Sequence, residues 1–248
     1  MVKGLDTFQK YFADYEEQYV LIGGAACDIL FESNEVNFRA TRDLDMVLIV
    51  EALTPEFGEK FWKFIVDGKY RNKATNGSNP QFYRFDKPED DNFPKMIELF
   101  CRSDFKLKDA KGITPIHIDD EVSSLSAILL NDDYYKALLH GKEVRKGLSV
   151  LRPEYIILFK AKAYLDLKKQ KDLGEKVDSS DIKKLKKDVM RIASELMLEK
   201  VEELPTAVDA DIHSFIDLLE QEPFDQNSLK RYGLKNEDIA ELLKQVFG

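Results

Sequence analysis

Residues 44–50, LDMVLIV, constrain this chain more than any other segment. They are apolar on both alternating faces except for Asp45, and a strand of that kind is covered on both sides. Other segments supply partners for such a strand. Residues 19–22 (YVLI) read as a short buried strand ended by Gly23-Gly24, and residues 82–86 (FYRFD) and 95–101 (KMIELFC) read as two more. Residues 4–17 put Leu5, Phe8, Tyr11, Phe12 and Tyr15 on one helical face, and residues 25–33 have helix period. Thr54-Pro55 is a cap followed by a first-turn proline, so a helix is expected from there to residue 68. The first half therefore reads as an α/β (α+β) sheet domain.

The texture changes near residue 119. Segments 132–141, 152–170, 178–200, 209–221 and 236–247 carry helical patterns, with Pro153 in a first turn and Asp178 or Ser179 as a cap. The expected organisation is a sheet domain over 1–118 and a mostly helical domain over 119–248. No stretch approaches the ~18 apolar residues of a membrane span, and the polar N-terminus does not read as a signal peptide. Cys27 and Cys101 give neither a disulfide framework nor a metal-site spacing, so a cytoplasmic protein is expected, with no membrane partner. The net charge of −9 excludes a nucleic-acid coating protein. Residues 160–191 nevertheless hold eleven Lys/Arg against six Asp/Glu. A basic stretch in an acidic chain suits a local phosphate site, or else a solvated helix face.

Asp43 and Asp45 open the central strand one residue apart, so both carboxylates point to one face. At ~5 Å and an effective dielectric near 20, their repulsion is about 3 kcal/mol. Glu98 interrupts the apolar strand 95–101 in the same way, and neighbouring strands would bring three carboxylates together. Hard oxygen donors of this kind favour magnesium or manganese, whereas zinc would call for nearby His or Cys. Gly23-Gly24, between a strand and a helix, would let backbone approach an anion at the helix start. The pattern is neither a Walker loop nor a dinucleotide fingerprint.

Taken in order, LIGGAACDIL (21–30), FRATRDLDMVLIV (38–50), MIELF (96–100), RPEYIILFKAKAYLDL (152–167) and DIKKLKKDV (181–189) resemble the AbiEii-type nucleotidyltransferases of the polymerase-β-like superfamily. The resemblance implies a nucleotidyltransferase-type mixed sheet flanked by helices, followed by a mostly helical domain that completes the nucleotide and acceptor site. Asp43 and Asp45 would hold Mg2+ or Mn2+. Glu98 would complete the metal site and help deprotonate the acceptor. Gly23 and Gly24 would approach the triphosphate, and Arg39 and Thr41 would orient the loop or the phosphates. The reaction implied is transfer of a nucleoside monophosphate from a nucleoside triphosphate to a hydroxyl, with release of pyrophosphate. Since the family includes toxins of toxin–antitoxin systems, RNA or another hydroxyl-bearing acceptor and an antitoxin protein join the expected partners.

The family also places a lysine on the helix after the sheet domain. Ile156, Lys160, Ala163 and Leu167 form one stripe, apolar except for the lysine, which a bound phosphate would satisfy. Lys162 lies four residues before Asp166 and reads as a surface pair, so Lys160 is preferred. Relatives often have an acid where Leu185 stands, and Lys184 and Asp188 could simply pair one turn apart. A catalytically silent module that binds a nucleotide or a partner on the same fold is the alternative.

Overall fold

A computed structural model describes residues 2–33, 43–72, 82–102, 108–109, 112–113 and 131–248. The chain forms two compact units, the first of residues 1–130 with 142–152, the second of 131–141 with 153–248. Among the described residues no helix is long and apolar enough to cross a membrane.

The first unit is a mixed sheet with helices. Helix α1 (Leu5–Phe12) and a single 3-10 turn (Glu16–Gln18) lead into β1 (Tyr19–Ile22), followed by α2 (Gly23–Ser33). Strand β2 (Asp43–Leu48), helix α3 (Pro55–Asp67), β3 (Arg71–Asn72), β4 (Phe82–Asp86) and β5 (Met96–Cys101) come next, then the small β6 (Lys108–Asp109) and β7 (Gly112–Ile113) hairpin. Two further strands, β8 (Lys142–Arg145) and β9 (Leu148–Leu151), return to the same sheet, whose order is β3-β4-β5-β2-β1-β9-β8. Those two lie inside the stretch read from the sequence as mostly helical. Four residues each is too short for periodicity to announce them, and β9 reaches the sheet only by pairing parallel with β1 through Leu21 and Val150.

The strand expected from residues 44–50 forms as β2, in the middle of the sheet, antiparallel to β1 and parallel to β5. One face of the sheet is sealed by aromatic rings. Phe8 and Phe12 of α1 and Phe57, Phe61 and Phe64 of α3 are fully buried. Phe12 meets Tyr19 of β1, and Phe61 meets Phe85 of β4 edge-on. Each such ring removes a large apolar area from water and gains a further ~0.5–1.5 kcal/mol from edge-to-face geometry. Helix α1 ends at Phe12, earlier than its apolar face suggests, and the chain reverses so that Tyr19 can pack against both Phe8 and Phe12. The cap expected at Thr54 is present, its side chain accepting from the Phe57 amide at 3.3 Å.

The second unit is helical: α4 (Asp132–Gly141), α5 (Pro153–Asp172), α6 (Ser179–Glu195), α7 (Thr206–Gln221), the short α8 (Gln226–Lys230) and α9 (Asn236–Phe247). Helix α5 is its axis. Tyr155 through Ala161 are all buried, as expected of a helix packed on every side, here by α4, α6 and α7. Asp178 caps α6 through the Ser180 amide at 2.8 Å.

Candidate active site

The two carboxylates of β2 reach one patch because side chains alternate along a strand, and both Asp43 and Asp45 sit at half-exposed positions among buried ones. What joins Glu98 to them is the register of the parallel pair: Asp45 stands opposite Glu98, and Asp43 opposite Met96. Strand β5 repeats the burial alternation of β2, with Glu98 half-exposed between the buried Ile97 and Leu99. Asp43 and Asp45 both lie close enough to Glu98 to bear on its titration.

Burial pushes the Glu98 carboxyl above its usual range; the Arg84 guanidinium opposes this, Asp43 adds to it, and Asp45 offsets part of it. Arg84 comes from β4, directly across from Glu98 in the antiparallel pair. Its Nε donates to Glu98 Oε1 at 2.6 Å, and a second guanidinium nitrogen meets the same oxygen. Such charge-assisted bonds are roughly twice as strong as neutral ones. Arg84 was not singled out from the sequence, where it alternates with Tyr83 and Phe85 like any strand arginine. Only the pairing of β4 with β5 makes it a partner of the acidic patch.

Gly23 explains the close approach on the other side. It begins α2 at φ 60°, a conformation that L side chains rarely adopt, and a Cβ built there would collide with Asp45 Oδ2. The start of α2 therefore lies against the Asp45 carboxylate, with Gly24 buried just behind it. Arg39 and Thr41 lie outside the described residues.

Three carboxylates on adjacent strands form a hard-oxygen donor set of the kind that magnesium and manganese prefer. Among the described residues, however, no three His, Cys, Asp or Glu side chains are gathered closely enough to ligate one ion. Glu98 is turned to Arg84 and would have to exchange that partner to close a ligand sphere. The donors match such an ion in type but, as placed, do not surround one point, and Arg84 holds Glu98.

In the helical unit, Lys160 of α5 is 8% exposed and its Nζ meets Asp188 Oδ2 of α6 at 2.7 Å. The partner that a lysine in an apolar stripe demands is, in this structure, Asp188. Lys184, one turn before Asp188 on the same helix, is exposed and is not the residue that Asp188 meets in this bond. Lys162 pairs with Asp166 at 2.9 Å, as its spacing suggests, and also with Asp211 at 3.4 Å. Tyr134 and Tyr135 are core residues, Tyr134 edge-on to Phe159 with its hydroxyl donating to Asp211.

Compared with known proteins, the chain matches no protein-family model and no curated protein. Among solved structures it is similar to an antigenic nucleotidyltransferase-like protein from Paracoccidioides brasiliensis, with a TM-score of 0.40 and 14% identity over 98% of this chain and 93% of that one.

Proposed function

We propose that the chain is a metal-dependent nucleotidyltransferase of the AbiEii kind, moving a nucleoside monophosphate from a nucleoside triphosphate to a hydroxyl acceptor and releasing pyrophosphate. One observation carries the reading: Asp45 stands in register beside Glu98 on a parallel neighbour strand, with the glycine start of α2 against its carboxylate. Asp43, Asp45 and Glu98 would hold Mg2+ or Mn2+. A divalent ion in such a site supplies charge neutralisation and Lewis acidity at the transferring phosphoryl group. The protein's own share is positioning and proton handling. Asp43 and Asp45 are fixed by the strand that carries them. Glu98, with its raised proton affinity, is suited to take the proton of the acceptor hydroxyl. The backbone at Gly23 and Gly24 leaves room at the start of α2, where an anion is favoured.

Lys160 enters this reading through the resemblance, and a phosphate contact there would require exchanging Asp188. Arg39 and Thr41 enter it in the same way, as residues that orient the loop or the phosphates. RNA is the acceptor suggested by the toxin members of that family, with an antitoxin protein as partner and a cytoplasmic setting.

The Arg84–Glu98 pair favours a second reading, a silent module in which arginine has taken the cation's place. Incubation with magnesium, each labelled nucleoside triphosphate and total RNA separates the two. Label transfer that disappears in Asp45→Ala, with the fold retained by circular dichroism, supports the enzyme. Triphosphate binding without transfer to RNA, protein or small hydroxyl acceptors sinks it in favour of the silent module.

A further inference from the structure

The helical unit contains a cavity of about 560 Å³ that the chemistry above does not use. Its size falls in the range of about 300–1,000 Å³ in which small-molecule sites lie. One wall is α6, which presents Lys183, Lys186 and Lys187 at helical spacings of three and four. Residues 222–225, the turn after α7, also line it, and the apolar surface it offers comes from Ile182 and Pro223.

The two acids on that wall are already engaged. Glu222 takes Lys168, and the Tyr164 hydroxyl donates to it at 2.8 Å; hydrogen bonds from those two groups hold its carboxyl below the usual range. Asp225 caps α8, accepting from the Ser228 amide and hydroxyl at 2.8 Å each. The lysines are less well compensated. Lys186 lies between the rings of Tyr164 and Phe224, its Nζ 5.8 and 5.6 Å from their centroids, and donates to the carbonyls of Glu222 and Pro223. Among the described residues, Lys183 and Lys187 have no ion-pair partner within 4.0 Å and both are exposed, although the Lys187 charge is felt at Asp225. A half-buried ammonium held by rings and neutral carbonyls remains short of negative charge. In keeping with that, burial pushes the Lys186 amine below its ordinary value, Glu222 opposing and Lys168 adding to the shift.

We infer that this cavity binds a small organic phosphate bearing a flat apolar group, of the nucleoside monophosphate kind. The phosphate would be held by Lys183, Lys186 and Lys187, and the flat group would lie along Ile182 and Pro223. Three ammonium groups beside the apolar surface of Ile182 and Pro223 match a ligand with one charged and one flat apolar end. The inference does not rest on the activity proposed for the sheet unit.

The test is equilibrium dialysis of the full chain, in EDTA, against each of the four nucleoside monophosphates, inorganic phosphate and an oligo-glutamate peptide. At least one monophosphate is expected to bind more tightly than inorganic phosphate. The Lys183→Ala/Lys187→Ala variant, altered only at exposed positions, is expected to weaken it by roughly tenfold or more, the loss expected for a contact to a charged group. Asp45→Asn is expected to leave it unchanged. The bound monophosphate is also expected to shield Lys186 from amine-reactive labelling read by mass spectrometry. No monophosphate binding at millimolar concentration overturns the inference. So does binding that survives the double variant, that is lost in Asp45→Asn, or that inorganic phosphate or the peptide matches.

Discussion

The acidic patch of the sheet unit and the Lys160–Asp188 pair of the helical unit both keep charge under partial or full cover, yet they balance it in opposite ways. Lys160 and Asp188 meet at 2.7 Å between two packed helices, with side-chain exposures of 9% and 3%. In the sheet, three carboxylates share a patch with Arg84, and the Glu98 proton affinity is raised rather than lowered. A complete pair serves the scaffold. A patch with surplus negative charge costs stability, which accords with the metal-dependent activity proposed above.

Breaking the complete pair should have the largest effect. Lys160→Met leaves Asp188 buried without its ammonium and should cost about 3–5 kcal/mol, whereas Lys160→Met with Asp188→Leu should recover most of that. Urea unfolding of the two variants measures the difference. A double variant as unstable as the single one would show that the helices need the charges themselves.

Gly23→Ala strikes the patch from its backbone side. A positive φ and a Cβ aimed at Asp45 should together cost about 2 kcal/mol in thermal or urea unfolding. Wild-type stability would mean that the start of α2 can move away from the carboxylate. Asp45→Asn tests the comparison by its sign. Removing one of the crowded charges should stabilise the fold by about 1 kcal/mol while transfer activity disappears, the trade expected of a functional site. Destabilisation instead would assign Asp45 to the scaffold.

The smallest effect is in pH dependence, again at a well-matched acid. Burial of Glu195 is outweighed by hydrogen bonds from Arg191 and Tyr232, so its carboxyl is held below the usual range. A depressed acid contributes stability above its unfolded pKa and loses it as pH falls through its folded pKa. Glu195→Gln should therefore lower stability at neutral pH by less than about 1 kcal/mol and flatten the acid-side slope of a pH series of unfolding midpoints. An unchanged slope would mean that the Arg191–Glu195–Tyr232 contacts contribute nothing in solution.

Local pattern carried much of this fold. The strand of residues 44–50, the short YVLI strand, the helix starts at Pro55 and Pro153 and the cap at Asp178 all follow from alternation, helical period or capping chemistry, which act within a few residues. The β8–β9 hairpin did not announce itself, since KEVR is mostly polar and LSVL is interrupted by Ser149, and the pair joins the sheet against the edge of β1. Lys160 illustrates the same boundary within a single side chain. Its place in an apolar stripe called for a partner of opposite charge, and the sequence suggested a phosphate. That Asp188 also lies within its reach follows from the packing of α5 against α6.

By itself, then, the sequence determined that Asp43 and Asp45 share a face at the mouth of a covered strand, that two glycines precede a helix, and that a lysine lies in an apolar stripe. Only the tertiary structure decided that β2 and β5 run parallel with Asp45 beside Glu98, that Arg84 crosses from β4 to meet Glu98, and that Gly23 abuts Asp45. Periodicity is a property of neighbours along the chain. Which strand lies beside which, and in what register, is set by hydrogen bonds and packing between residues far apart in sequence, and the chemistry of this patch depends on that register.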